Sequence, residues 1–155
     1  MRKTKFAKIF LAAAVCAAAI MLFAACNAND VYDNDALIIR GGASMTVGSS
    51  ESNIPGQSYA LKAKKFSGVK AVTTLDLPEN PVIYIKLTLW AGKCKVVLIK
   101  DDKVNIVCEQ TAETDAELAE MKGIAKELSA GRYQLKFVGQ NVENIDIKID
   151  LKKFS

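Results

Sequence analysis

Four cysteines, Cys16, Cys26, Cys94 and Cys108, are the strongest nucleophiles in a chain of 155 residues that has no histidine. Without imidazole there is no Ser-His-Asp or Cys-His pair, no His-ligated zinc and no side chain whose ordinary charge switches near neutrality. Carboxylates could still cleave a glycosidic bond, but only as a pair facing one cleft. Asp76, Glu79, Asp101 and Asp102 fall in turns, and Asp146 and Asp150 alternate with apolar residues on what reads as a wet strand face. Asp30, Asp33 and Asp35 suggest a calcium loop, yet counting from Asp30 the sixth and twelfth positions hold Asp35 and Gly41 where an EF-hand needs Gly and Glu. Gly41-Gly42 lacks the spacing of a phosphate loop. These residues predict no catalytic site, no metal and no cofactor.

Binding is the chemistry that remains. Tyr84, Lys86, Thr88 and Trp90 share one face of the stretch 82–90, while Ile83, Ile85, Leu87 and Leu89 occupy the other. A strand with one apolar face already committed to a core leaves the two aromatics for a ligand. Flat rings flanked by an ammonium and a hydroxyl suit stacking on sugar rings. The competing expectation is that a neighbouring element buries Trp90 against Leu118 or Met121.

Cys94 and Cys108 lie in a hairpin turning at Asp101-Asp102. A three-residue loop, 100–102, sets Cys94 opposite Cys108, Val96 opposite Ile106 and Leu98 opposite Val104, all on one apolar face. A two-residue loop would set Cys94 opposite Glu109 and mix the faces, so the first register is expected. Opposed Cβ atoms stand about 4.5–5.5 Å apart, so a disulfide and two free buried thiols are both open to this pair. The spacing excludes a CxxC redox site.

The elements that position these residues are mostly strands. Ile145, Ile147, Ile149 and Leu151 alternate with Asp146, Lys148, Asp150 and Lys152, and Tyr133, Leu135 and Phe137 repeat the pattern. Strands are also expected near 37–47, 59–66 and 69–77, with turns at Pro55-Gly56, Ser67-Gly68, 78–81, Ala91-Gly92 and 139–141. The lysines Lys62, Lys64, Lys65 and Lys70 read as the solvated face of an edge hairpin. One segment differs: Thr114 and Glu117 form a capping-box pair, Leu118, Met121, Ala125 and Leu128 recur at helical spacing, and Gly131 stands at the stop. The expected fold is all-β, an antiparallel β-sandwich of seven or eight strands with one short helix near 115–122.

At the N-terminus Arg2, Lys3, Lys5 and Lys8 precede the uncharged run 9–23 and the small residues Ala24 and Ala25, the layout of a signal peptide over 1–25. Removing it leaves 17 basic against 17 acidic residues, a neutral chain without the footprint of a nucleic-acid binder. Leu22-Phe23-Ala24-Ala25-Cys26 resembles the lipobox of bacterial lipoproteins, with Phe23 where that family usually has Leu. The resemblance implies a lipid on Cys26, cleavage before it, and a protein anchored to the cell membrane on its extracytoplasmic face. The Asn- and Asp-rich residues 27–36 then read as a tether, with the domain over 37–155.

Leu128, Gly131, Tyr133 and Leu135 form an L-x-x-G-x-Y-x-L pattern that looks like one recurring in extracellular jelly-roll modules, among them carbohydrate-binding modules. It implies a fold and no ligand. The sequence reading is therefore a non-catalytic lipoprotein binding or interaction module for a protein or other ligand. The alternative is a carbohydrate-binding protein using Trp90 and Tyr84.

Overall fold

The computed structural model describes residues 31–54, 58–112 and 118–150. Chain order is α1 (Asp35–Arg40), β1 (Ser44–Val47), β2 (Ser50–Ile54), β3 (Ser58–Leu77), β4 (Val82–Thr88), β5 (Ala91–Lys100), β6 (Lys103–Thr111), β7 (Leu118–Ala125) and β8 (Gly131–Asp150). All strand pairs are antiparallel, as the alternating patterns require.

Two long strands organise the sandwich. The half of β3 that contains Tyr59 and Leu61 pairs with the half of β8 that contains Ile147 and Ile149, flanked by β2 on one side and by β4 and β7 on the other. The remaining halves pair with each other and carry β1, β5 and β6. One sheet thus folds over on itself into two layers. Their inner faces share a core that includes Leu61, Ile85, Leu87 and Ile147 from the first layer and Val96, Leu98, Leu135 and Phe137 from the second. Tyr59 and Phe137 meet edge to face at 5.4 Å across it.

The fold line is a corner. β3 shifts register between Phe66 and Gly68, and Asn141 and Asn144 of β8 take left-handed backbone angles. Ser67-Gly68 and 139–141 therefore act as bends within continuous twenty-residue strands, not as turns between shorter ones. Asn and Gly suit both outcomes, because both need the same left-handed residues.

The fold class stands, and the helix moves. Over 118–125 the backbone is strand β7, paired with β4, while Thr114 and Glu117 lie outside the described residues. Gly123 opposes Tyr84, whose ring covers it. A helix would lose about 1 kcal/mol at this glycine and leave the edge of β4 away from β8 unpaired, so pairing overrides the helical spacing. The observed helix is α1, which takes the first part of the strand expected near 37–47, while the end of that segment is strand β1. Asn34 accepts from the Leu37 amide at 3.1 Å, and Gly41 in the left-handed region ends the helix.

The folded body also begins earlier than the expected tether allows. Val31 and Tyr32 are buried, and with Ile38 they pack on Val69, Val97, Ile99 and Val138, the outer face of the second layer. This strap is clamped by two lysines. Lys136 donates to the carbonyls of Ile38 at 3.0 Å and Ile39 at 2.7 Å, and the Lys95 ammonium lies 4.6 Å from the centre of the Tyr32 ring. The Tyr32 hydroxyl donates to Glu109 at 2.8 Å. Burial and that carboxylate push the Tyr32 phenol upward, and burial pulls Lys136 downward.

Candidate functional site

The outer face of β4 is built as the alternation predicts. Ile83, Ile85, Leu87 and Leu89 are buried, Tyr84, Lys86 and Thr88 are half-buried, and Trp90 is 79% exposed. Trp90 follows β4 where the chain turns the corner into β5, and its amide donates to the Glu143 carbonyl at 2.9 Å. Gly92 makes that crossing possible: at φ +83 it lies so close to β8 that a Cβ would stand 2.3 Å from the Asn141 carbonyl oxygen. The indole is thereby held by backbone and left open to solvent, against the expectation that Leu118 or Met121 covers it.

The neighbouring strands extend the face. Asp146 and Lys148 of β8 stand opposite Thr88 and Lys86, and Lys62 and Ala60 of β3 continue the same rows. Asp146 receives Lys62 at 3.0 Å and Lys86 at 3.9 Å, so the middle of the face is a ladder of paired charges. Tyr84 stands at the far end, about 20 Å from Trp90 along the strand, with its ring on Gly123. The structure brings Lys86 and Thr88 between the two aromatics and does not bring the aromatics together. One sugar ring can stack on Trp90; only an extended ligand reaches both.

Cys94 and Cys108 share one face, as expected, but are not opposed. The hairpin closes through a two-residue turn, with Asp101 and Asp102 at φ 50 and 56 and Lys100 opposite Lys103. A register shift between Val96 and Val97 then restores the faces, setting Cys108 opposite Val96 and Cys94 opposite Gln110. The bulge was invisible to an argument that assumed a regular ladder. The cysteines are free, buried thiols on a diagonal, and burial pushes the Cys108 thiol up to about 12. They pack in the core with Leu98 and Val107.

Two hollows of about 610 and 520 Å³ lie on the opposite side, beside α1, and share Ile39, Thr74 and Gln134. Arg132 there is paired with Asp76 at 3.3 Å. Among the described residues no group of three His, Cys, Asp or Glu is placed to hold a metal ion. Sequence reasoning missed the strap that borders these hollows. Its signal was the run Val96-Val97-Leu98-Ile99, apolar on both faces, which marks a strand covered on both sides.

No protein-family model matches the chain, and no curated protein matches it. Among solved structures it aligns with two mutants of family 29 carbohydrate binding modules, each at 12% identity and a TM-score of 0.39. One alignment covers 69% of this chain and 75% of that one, the other 72% and 79%.

Proposed function

We propose that the chain is a non-catalytic binding module, anchored by lipid on Cys26 to the extracytoplasmic face of the cell membrane, and that its ligand is a saccharide bound on the outer face of β4. The observation that carries the saccharide reading is Trp90, 79% exposed at the end of a polar sheet face. An indole in that setting offers a flat apolar surface for the C–H side of a sugar ring, while Thr88, Lys86 and the Asp146 carboxylate supply donors and acceptors alongside. Support for the anchor is the sequence pattern ending at Cys26.

A glycan array probed with the parent chain and with Trp90→Ala tests the ligand. Loss of one stacked ring is expected to weaken binding about tenfold at an unchanged melting temperature. Glycan binding indifferent to Trp90→Ala, or no glycan bound at all, overturns the saccharide reading. Acyl labelling in a bacterial host tests the anchor separately: label on the parent and none on Cys26→Ser is expected, and equal labelling refutes it.

A further inference from the structure

We propose that the β1 side of the corner, where Met45 and Val47 stand beside Lys64 and Lys65, rests on an anionic lipid bilayer when Cys26 carries its lipid. The inference rests on the anchoring reading and adds an orientation to it.

The first argument is reach. Cys26 lies five residues before Val31, so the chain between them spans at most about 18 Å. Val31 is fixed to the folded body, with a methyl 3.4 Å from where a Cβ on Gly42 would stand. Met45 follows Gly42 by three residues and Val47 by five, at most about 11 and 18 Å of chain. A tether that ends at Val31 leaves at most about 18 Å of chain between anchor and folded body, half of what a tether to residue 36 would leave, so this corner is within reach of the bilayer.

The second argument is surface chemistry. Met45 is 53% exposed and Val47 48%, two large apolar side chains on one four-residue strand. Both point away from the core, because Thr46 between them stands opposite the buried Phe66. Lys64 lays its aliphatic stem across Gly48, and Lys65 stands opposite Val47. The acid that meets this pair is Glu143, 3.8 Å from Lys65. Two apolar side chains with two lysines at one end of their strand match the boundary between acyl chains and negative headgroups, where stems bury and ammonium groups stay with phosphate. Trp90 stands three strands further along the corner, about 14 Å away, and stays with the ligand face.

The test uses the full, acylated chain on mixed phosphatidylcholine and phosphatidylglycerol vesicles, with an environment-sensitive dye on Met45→Cys, on Val47→Cys and, as the control, on Lys148→Cys. Blue-shifted emission, quenched by nitroxide lipids, is expected at 45 and 47 and absent at 148. It should be lost in Lys64→Glu/Lys65→Glu and weakened by high salt. Co-sedimentation with dye at 45 and 47 still in water overturns the docking and leaves the anchor standing. Failure to co-sediment overturns the anchor and the docking with it. The single tryptophan reports independently: a blue shift of Trp90 on vesicles would place the membrane on the β4 side, against both this orientation and the saccharide reading.

Discussion

Lys70 and Glu51 form a 2.8 Å ion pair that joins the two layers at an open edge of the sandwich. Glu51 of β2 stands opposite Leu61 in the first layer, and Lys70 of β3 stands opposite Phe137 in the second. Both partner side chains point into the core, so the two charges meet over its rim. The Lys70 ammonium holds the Glu51 carboxyl below its ordinary value. A depressed carboxylate contributes stability above its unfolded pKa, about 4.3, and loses it as pH falls through the folded value. Both groups are partly exposed, so Glu51→Gln is expected to cost less than about 1 kcal/mol at neutral pH. Urea titrations over a pH series check this: the gap between parent and variant should close in acid, and a gap independent of pH would show that the pair contributes nothing through its charge.

At Lys136 the pH slope has the same sign, but the charge is a cost where that of Glu51 is a gain. Burial lowers its folded pKa, so its charge is a cost that is relieved as pH rises from that value toward the ordinary lysine value of about 10.4. Stability should therefore gain an alkaline rise that Lys136→Met abolishes. The same variant leaves the Ile39 carbonyl without the donor at 2.7 Å. Amide exchange over 35–42 should quicken while β4 and β8 stay protected, with a global loss of about 1 kcal/mol or less. Uniform acceleration across the sheet would mean that the strap is part of the cooperative core.

What was legible in the sequence divides along physical lines. Period-2 alternation fixes which side of β4 or β8 is buried, because one face must meet the core whatever the topology, and Ile83 to Leu89 and Ile145 to Ile149 obey it. Ile106 does not: the register shift in the hairpin turns it outward, 41% exposed. Bends and turns use the same Gly and Asn residues, so two twenty-residue strands read as four short ones. The β7 segment carried helical spacing that only the partner strand β4 could overrule. The strap was hidden among Asn and Asp residues, since the two groups that reward its docking, Lys95 and Lys136, come from strands far away in sequence. For the candidate site, the positions of Tyr84, Lys86, Thr88 and Trp90 on one face were readable, and the exposure of Trp90 was not, because it depends on what the rest of the chain leaves uncovered.

Gly92 and Gly48 both have positive φ, +83 and +58, yet they should respond differently to substitution. At Gly92 a Cβ would meet the Asn141 backbone at 2.3 Å, and two bonded strands would have to separate. At Gly48 its nearest neighbour would be the Lys64 side chain at 3.0 Å, which can swing aside. Gly92→Asn is expected to cost more than about 2 kcal/mol, whereas Gly48→Asn should cost about 1 or less, since Asn tolerates the left-handed angle. Denaturation midpoints decide it, and similar losses would show that the angle, not the close approach, governs the corner.

Ile147 and Lys148 are neighbours on β8 with opposite fates. Ile147 is fully buried between Leu61 of β3 and Leu87 of β4, its partners in register, while Lys148 faces solvent on the other side. Truncating Ile147 to Ala removes three buried carbons from the middle of the first layer. Backbone pairing on both sides prevents the strand from moving in to fill the space, so transfer and cavity costs add, and a loss of about 2–5 kcal/mol is expected. Lys148→Ala removes only a solvated stem and charge and should cost less than about 1 kcal/mol. Lys86→Ala, also on the outer face, should behave like Lys148→Ala apart from its contact with Asp146 at 3.9 Å. Equal losses for Ile147→Ala and Lys148→Ala would show that something covers the outer face of the first layer. Trp90 could then no longer be treated as standing at the end of an open, polar sheet.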